Sequence, residues 1–258
     1  MTNAIATRIH QRTEAVFRSL VTTSPMVILV REGVKHMATR HGTYTARTGE
    51  VFLFPERTPY EIRNKLGPTG LYNATAITIP RAVIPITGER AYLRATNDSR
   101  VVGAFERAVI AASDPLVPEP LRAHYVQEVL LWLSELGISF PSQQKESVED
   151  RVRDLVCKSL DHHWKAENVA KQLGLSEASL RRHLARCGTS FSAVLSDARM
   201  TRALALLHST DLSINRIALE VGYASPSQFA ARFRDRFEVT PSAIRGGALI
   251  ESGQELIE

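Results

Sequence analysis

One pattern is written twice near the C-terminal end of this chain, about 48 residues apart, and it limits the fold more than any other feature. The first copy runs from Asn168 to Leu184 and the second from Arg216 to Phe233. Ala170 matches Ala218, Leu173 matches Val221, and Gly174 matches Gly222. The second copy then carries one extra residue, so Ser176, Leu180 and Leu184 match Ser225, Phe229 and Phe233. Each mark has a mechanical reason. The small Ala lets a second helix cross close to the first, and the Gly supplies the unhindered backbone of a tight helix exit. Ser176 and Ser225 stand where an N-cap accepts from a free backbone N–H, and Pro226 suits the first helical position. Leu180 with Leu184, and Phe229 with Phe233 and Phe237, recur at helical spacing and turn inward. The pattern therefore predicts two helix-turn-helix units.

Between the copies, Phe191 to Ser209 reads as one continuous amphipathic helix, with Val194, Ala198, Ala205 and Leu206 on its apolar side. Its residues at roughly 1.5 Å each span on the order of 28 Å, close to the roughly 34 Å between successive major-groove faces of B-DNA. A strut of that length lets two outward helices enter adjacent turns of one duplex. The outward face of the first helix carries Ala178, Ser179, Arg181 and Arg182, and that of the second Ser227, Gln228, Ala231 and Arg232. Arg181 or Arg182 can donate in bidentate fashion to guanine, and Gln228 can pair with adenine. Ser179 and Ser227 suit phosphate contacts that set register.

The segment from about Val148 to Gly246 resembles the DNA-binding module of the AraC/XylS-type transcription regulators. The likeness rests on Ile217-Ala218 through Gly222-Tyr223, then Ser225, Ser227, Phe229 and Phe233, then Phe237, then Thr240-Pro241-Ser242 and Arg245. The family often has Arg where this chain has Ala231 and Gly where it has Glu238. These departures imply fewer DNA contacts from the second helix, and the resemblance implies internal ion pairs rather than base reading for Arg199 and Arg202.

Charge agrees. The chain holds 32 basic and 27 acidic side chains. Residues 150–246 hold 15 basic and 10 acidic ones, so this segment alone carries an excess equal to the whole chain's +5. That suits a polyanionic partner. At 258 residues and 44% apolar composition the chain can hold two domains with real cores. No apolar run approaches a membrane span and the N-terminus lacks a signal-peptide pattern, so a soluble cytoplasmic protein is expected, without membrane contact. Cys157 and Cys187 lack ligand spacing and are expected as reduced thiols.

The expected fold class is α+β in two domains. Residues 1–136 form an N-terminal sensory and dimerisation domain, a cupin-like β-sandwich or barrel with following helices. Residues 137–147 form a linker, 148–246 an all-α module of two helix-turn-helix units joined by a long helix, and 247–258 an acidic tail. Within the first domain, residues 1–22 are expected as a helical or mobile arm. Short runs such as Val27-Ile-Leu-Val30, Gly49 to Phe54 and Leu71 to Ile79 read as strands bounded by turn residues. The phrase Thr48-Gly-Glu-Val-Phe-Leu-Phe-Pro55, followed by Thr58-Pro59-Tyr60, resembles a strand and turn of the cupin-like sensory domains that precede many such modules. One helix is marked by Val101, Val102, Phe105, Val109 and Ile110. Another is marked by Leu121, Tyr125, Val129, Trp132, Leu133 and Leu136. The second helix has two readings, packing on its own β-domain or, by likeness to the family, pairing with its symmetry mate.

His36 and His41 fit no close ligand pair, so neither metal nor cofactor is expected. His162 and His163 beside Trp164 suit capping or phosphate contact. A barrel lined by Val, Ile, Leu and Phe suits an apolar body whose carboxylate could meet Arg31, Lys35, Arg40 or Arg57, although the favoured reading of each cation taken singly is a solvated place on a strand face. The resemblance implies a sequence-specific regulator, most often an activator that meets RNA polymerase, controlled by a small molecule such as a fatty or carboxylic acid. The alternatives are the same regulator controlled by a protein partner, or a cupin-type enzyme with a DNA-targeting tail. No nucleophile–base set, metal cluster or phosphate-cradling Gly loop supports the last, so no catalytic residue is assigned.

Overall fold

The computed structural model describes residues 4–39, 42–80, 83, 87–88, 94–141 and 146–245. Its first half is built from β1 (Ala6–Gln11), β2 (Val16–Leu20), β3 (Met26–Glu32), β4 (Val34–Thr39), β5 (Gly42–Arg47), β6 (Val51–Phe54), β7 (Tyr60–Lys65), β8 (Tyr72–Thr78) and the two-residue β9 (Thr87–Gly88). One antiparallel sheet has the order β1-β8-β3-β6 and a second β2-β7-β4-β5. Two helices follow, α1 (Ser99–Ser113) and α2 (Glu119–Glu135), then β10 (Phe140–Pro141).

The burial pattern says how these layers stack. β7 alternates strictly, with Tyr60 and Ile62 buried and Glu61 and Arg63 exposed, as a sheet with one wet face requires. In β3, Val27, Ile28, Leu29 and Val30 are all buried. Ile28 and Val30 share a core with Phe17, Met37 and Ile62 of the second sheet, whereas Val27 and Leu29 pack with Phe105, Val126 and Leu133 of the helices. The first sheet is thus the middle of three layers. A continuous apolar run marks a strand covered on both sides.

Two stretches differ from the sequence reading. Residues expected as an arm supply β1 and β2, which pair with β8 and β7; Ala6 lies opposite Ile77 and Phe17 opposite Ile62. Their register is fixed by strands forty or more residues away, a pairing that no local pattern reveals. The start of the expected linker belongs to the first domain: Ile138 and Phe140 are buried in the helix-side core, and Phe140–Pro141 pairs with β9. Residues 142–145 and the expected acidic tail lie outside the described residues.

The second half is helical: α3 (Val148–Val156), α4 (Ala166–Gln172), α5 (Glu177–Arg186), α6 (Phe191–Ser209), α7 (Ile214–Glu220), α8 (Pro226–Phe237) and α9 (Pro241–Arg245). Ser147 opens α3 with a capping box completed by Asp150. The strut predicted from Phe191 to Ser209 is α6, residue for residue. Among the described residues no helix is long and apolar enough to cross a membrane.

Candidate nucleic-acid interface

In the first unit α4 ends at Leu173, Gly174 turns the chain at φ +69°, and the Ser176 hydroxyl caps α5 by accepting from Ser179 N at 3.2 Å. Leu180 and Leu184 are buried against Val169, Ala170, Val194 and Ala198. That fixes the rotation of α5 and leaves Ala178, Arg181 and Arg182 exposed, with Ser179 half-buried. Arg182 Nη2 donates to Ser179 Oγ at 3.4 Å, a weak tether that leaves the fork free to turn outward.

The second unit repeats the plan. Gly222 turns at φ +81°, Ser225 accepts from Gln228 N at 3.4 Å, and Pro226 opens α8. Phe229, Phe233 and Phe237 are fully buried in succession, ring centroids 5.7 and 4.7 Å apart. The exposed face presents Ser227, Gln228, Ala231 and Arg232. The helix ends at Glu238, which holds φ +59°, the left-handed position where the resembled family often carries Gly.

The two halves of the chain share one core. Met200, Ala203, Leu204 and Leu207 of α6 pack with the interior of the sandwich. Strand β2 grips the exit of α8 through three successive residues. The Phe17 ring meets the Phe237 edge at 5.6 Å, Arg18 pairs with Glu238 at 2.7 Å, and the Ser19 carbonyl accepts from Arg236 at 3.1 Å. Ser19 presents that carbonyl from a left-handed backbone, φ +52°, at an irregularity in the β2–β7 register. Arg236 also reaches Asp197 of α6 at 2.7 Å, and Asp197 takes the buried Arg153 of α3 at 3.0 Å.

The candidate effector cations separate sharply. Arg31 forks onto Glu106 of α1 and donates to Thr75. Arg57 pairs with Asp154 of α3 at 2.5 Å and with Glu146 at 3.0 Å, so it ties the sandwich to the first helix-turn-helix unit. Arg40 lies outside the described residues. Lys35 is different: it is buried and donates to the neutral Asn64 Oδ1 at 2.8 Å, and Asn64 in turn donates to Gln11. Its ammonium lies 5.0 Å from the Tyr72 ring centroid, and burial brings it down to about 7. Beyond it, His208 at the end of α6 is held down to about 3 by burial first and then by Lys35 and His10. His208 Nε2, the Tyr72 hydroxyl and the Thr201 hydroxyl are buried without a hydrogen-bond partner. Sequence reasoning missed His208, Tyr72 and Asn64. Asn64 meets Lys35 as its cross-strand partner in β7 and Tyr72 reaches it from β8, whereas His208 comes near only because α6 docks on the sandwich.

The candidate dimer residues also divide. Val129 and Leu133 are 1% and 0% exposed, turned into their own domain's core, and are not available to a partner. Tyr125, Trp132 and Leu136 pack half-buried against the same core, with Arg100 over the Trp132 ring. Leu121 stands exposed, as do Ile110, Leu116 and Leu131. His36 bonds Thr45 at 3.0 Å, and His41 lies outside the described residues.

Comparison with known proteins places the second half first. A family model described as a helix-turn-helix domain matches residues 169–247. The chain is 39% identical over 98 residues to HTH-type transcriptional regulator YdeO of Shigella flexneri, covering 38% of each protein. It is 36% identical over 97 residues to transcriptional regulator SirC of Salmonella typhimurium, covering 38% of this chain and 33% of SirC. The chain matches well under half the length of these curated relatives. Nearly the whole chain resembles ToxT from Vibrio cholerae in structure, with a TM-score of 0.67 at 14% identity over 93% of this chain and 97% of ToxT. A ToxT structure with unsaturated fatty acid bound gives 0.64 at 15% identity, covering 94% of each chain. At that identity the likeness is one of fold, and the shared fold is α+β: antiparallel sheets first, then a helical helix-turn-helix region.

Proposed function

We propose that this chain, whose residues 169–247 match a helix-turn-helix domain, is a sequence-specific DNA-binding transcription regulator of the AraC/XylS type controlled through its first domain. One observation carries the reading: α5 and α8 each bury their apolar side, α5 in a core with Val194 and Ala198 of α6 and α8 in a core with Met200 and Leu207, and each turns a polar, Arg-bearing face outward. Guanidinium forks and a Gln amide are the groups that read base edges in a major groove, and duplex DNA repeats its groove at an interval close to the length of the strut. Activation through RNA polymerase is the sign of regulation expected by likeness to the family. The test is a salt-titrated footprint on the DNA upstream of the chain's own operon. Two protected major-groove patches one turn apart per monomer are expected, and a single patch contradicts a two-helix reader.

For control, the buried Lys35 cluster favours a small carboxylic acid with an apolar tail. A buried ammonium that donates to the neutral Asn64 amide, beside Tyr72 whose hydroxyl has no partner, suits a carboxylate. The ToxT structure with a bound unsaturated fatty acid shares this fold, which supports the choice of probe. Titrating oleate against DNA binding tests it: a shift in DNA affinity that disappears in Lys35→Met supports the site, and an equal shift in both proteins removes it. Control by protein contact is the second reading, favoured by the exposed Ile110, Leu116, Leu121 and Leu131 of the α1–α2 layer. That surface also suits a homodimer. Sedimentation of wild type against Leu121→Glu separates self-association from capture of another protein.

A further inference from the structure

We propose that Arg199 is a positioning residue for DNA reading: it locks the two helix-turn-helix units at one separation, and Gly222 exists in its second role to let that lock close. The inference rests on the DNA-reading function proposed above and adds the residue that sets its spacing.

Arg199 sits where α6 passes from one unit to the other. Ala198, the residue before it, is buried in the core of the first unit, and Met200, the residue after it, in the core that holds Ile217, Phe229 and Phe233 of the second. From that border its guanidinium reaches both units. Nε donates to the Leu160 carbonyl at 3.1 Å and Nη2 to the His162 carbonyl at 3.2 Å, both in the turn between α3 and α4. The same plane lies 5.6 Å from the ring centroid of Tyr223, in the turn between α7 and α8. A planar fork fixed on two carbonyls and one ring resists rotation in a way a single-point ammonium does not.

The duplicated glycines confirm that something beyond a helix exit happens in the second copy. Gly174 and Gly222 match in sequence and both have positive φ. A β-carbon on Gly174 would meet nothing within 4 Å. One on Gly222 would strike the Leu160 carbonyl oxygen and lie 2.6 Å from Arg199 Nη2. The turn of the second unit therefore rides directly on the backbone of the first, with Arg199 between them. Leverage makes the lock consequential. Half of α6 is about 14 Å long, so a 10° tilt at Arg199 moves a recognition helix by about 2 Å. That exceeds the tolerance of a bidentate hydrogen bond to a base.

The full chain with Cys157→Ser and Cys187→Ser, spin-labelled at Ser179→Cys and Ser227→Cys, reads the geometry without DNA. A single narrow distance is expected in this background, and a distribution at least twice as broad in Arg199→Lys and in Gly222→Ala. Gly174→Ala, strained but outside the junction, keeps the narrow distance and serves as the control for lost stability. On DNA, inserting one base pair between the two contacted patches lowers wild-type affinity at least tenfold, and that of Arg199→Lys by less than threefold. Narrow distances and an undiminished insertion penalty in Arg199→Lys overturn the proposal. Broadened distances in a protein whose wild type ignores the insertion overturn the two-helix reading of DNA and leave the lock standing.

Discussion

Lys35, Arg31 and Arg57 look alike in the sequence, three cations on or beside strands, and the structure gives them three different jobs. Two are neutralised by carboxylates from helices. The third is buried opposite an amide, and its proton is the loose one. The folded protein holds Lys35 near 7 against an ordinary value of 10.5, so between those values the unfolded chain binds a proton that the folded chain does not. Stability therefore rises with pH across that window. The difference in unfolding free energy between wild type and Lys35→Gln is expected to grow by a few kcal/mol from about pH 7 to about pH 10.5, measured by denaturant titration at each pH. A bound carboxylate needs the charged form, so oleate affinity falls by up to about tenfold per pH unit above 7; a flat profile excludes Lys35 as its partner. On the DNA face, Arg182→Ala is expected to lose roughly 1–3 kcal/mol at a cognate site and to relax preference at one base step. Uniform weakening on all sequences assigns Arg182 to phosphate.

At the scale of elements, the helices of the second half were legible because each carries its own start and stop. Ser176, Ser190, Ser213 and Ser225 all cap the helices they precede, and apolar residues recur at helical spacing between them. The strands were less so. Val27 to Val30 reads as a strand, but that both its faces are covered depends on α1 and α2 arriving later in the chain. β1 and β2 carry no local mark strong enough to outweigh the reading as an arm. The glycine pair gives the element-scale prediction. Gly174→Ala is expected to cost about 1 kcal/mol, the strain of a left-handed backbone alone. Gly222→Ala is expected to cost about 3 kcal/mol or more, because overpacking against backbone adds to that strain. Equal losses in thermal unfolding contradict the asymmetry.

For the whole molecule, the decisive contact is the grip of β2 on the exit of α8, supported by Thr13 donating to the Ala243 carbonyl at 2.9 Å and by Arg57 on α3. These contacts give the first domain a hold on both units at once. Phe17→Ala should cost about 3–5 kcal/mol if the halves unfold together, and the joint variant Arg18→Ala with Arg57→Ala should speed hydrogen exchange at 148–156 and 234–238 while leaving the sheets protected. Unchanged exchange in both segments would show that the halves do not communicate through these ion pairs. By itself the sequence determined the paired helix-turn-helix units, the strut between them and the faces they turn outward, because capping and helical periodicity act within a dozen residues. Only the tertiary structure decided which of the described candidate effector cations lacks a carboxylate partner, which apolar residues of α2 remain open, and why substitution costs more at one of two matching glycines. Those outcomes depend on desolvation and close approach between segments as much as two hundred residues apart, where charge and polarity in the chain say nothing of who the neighbour will be.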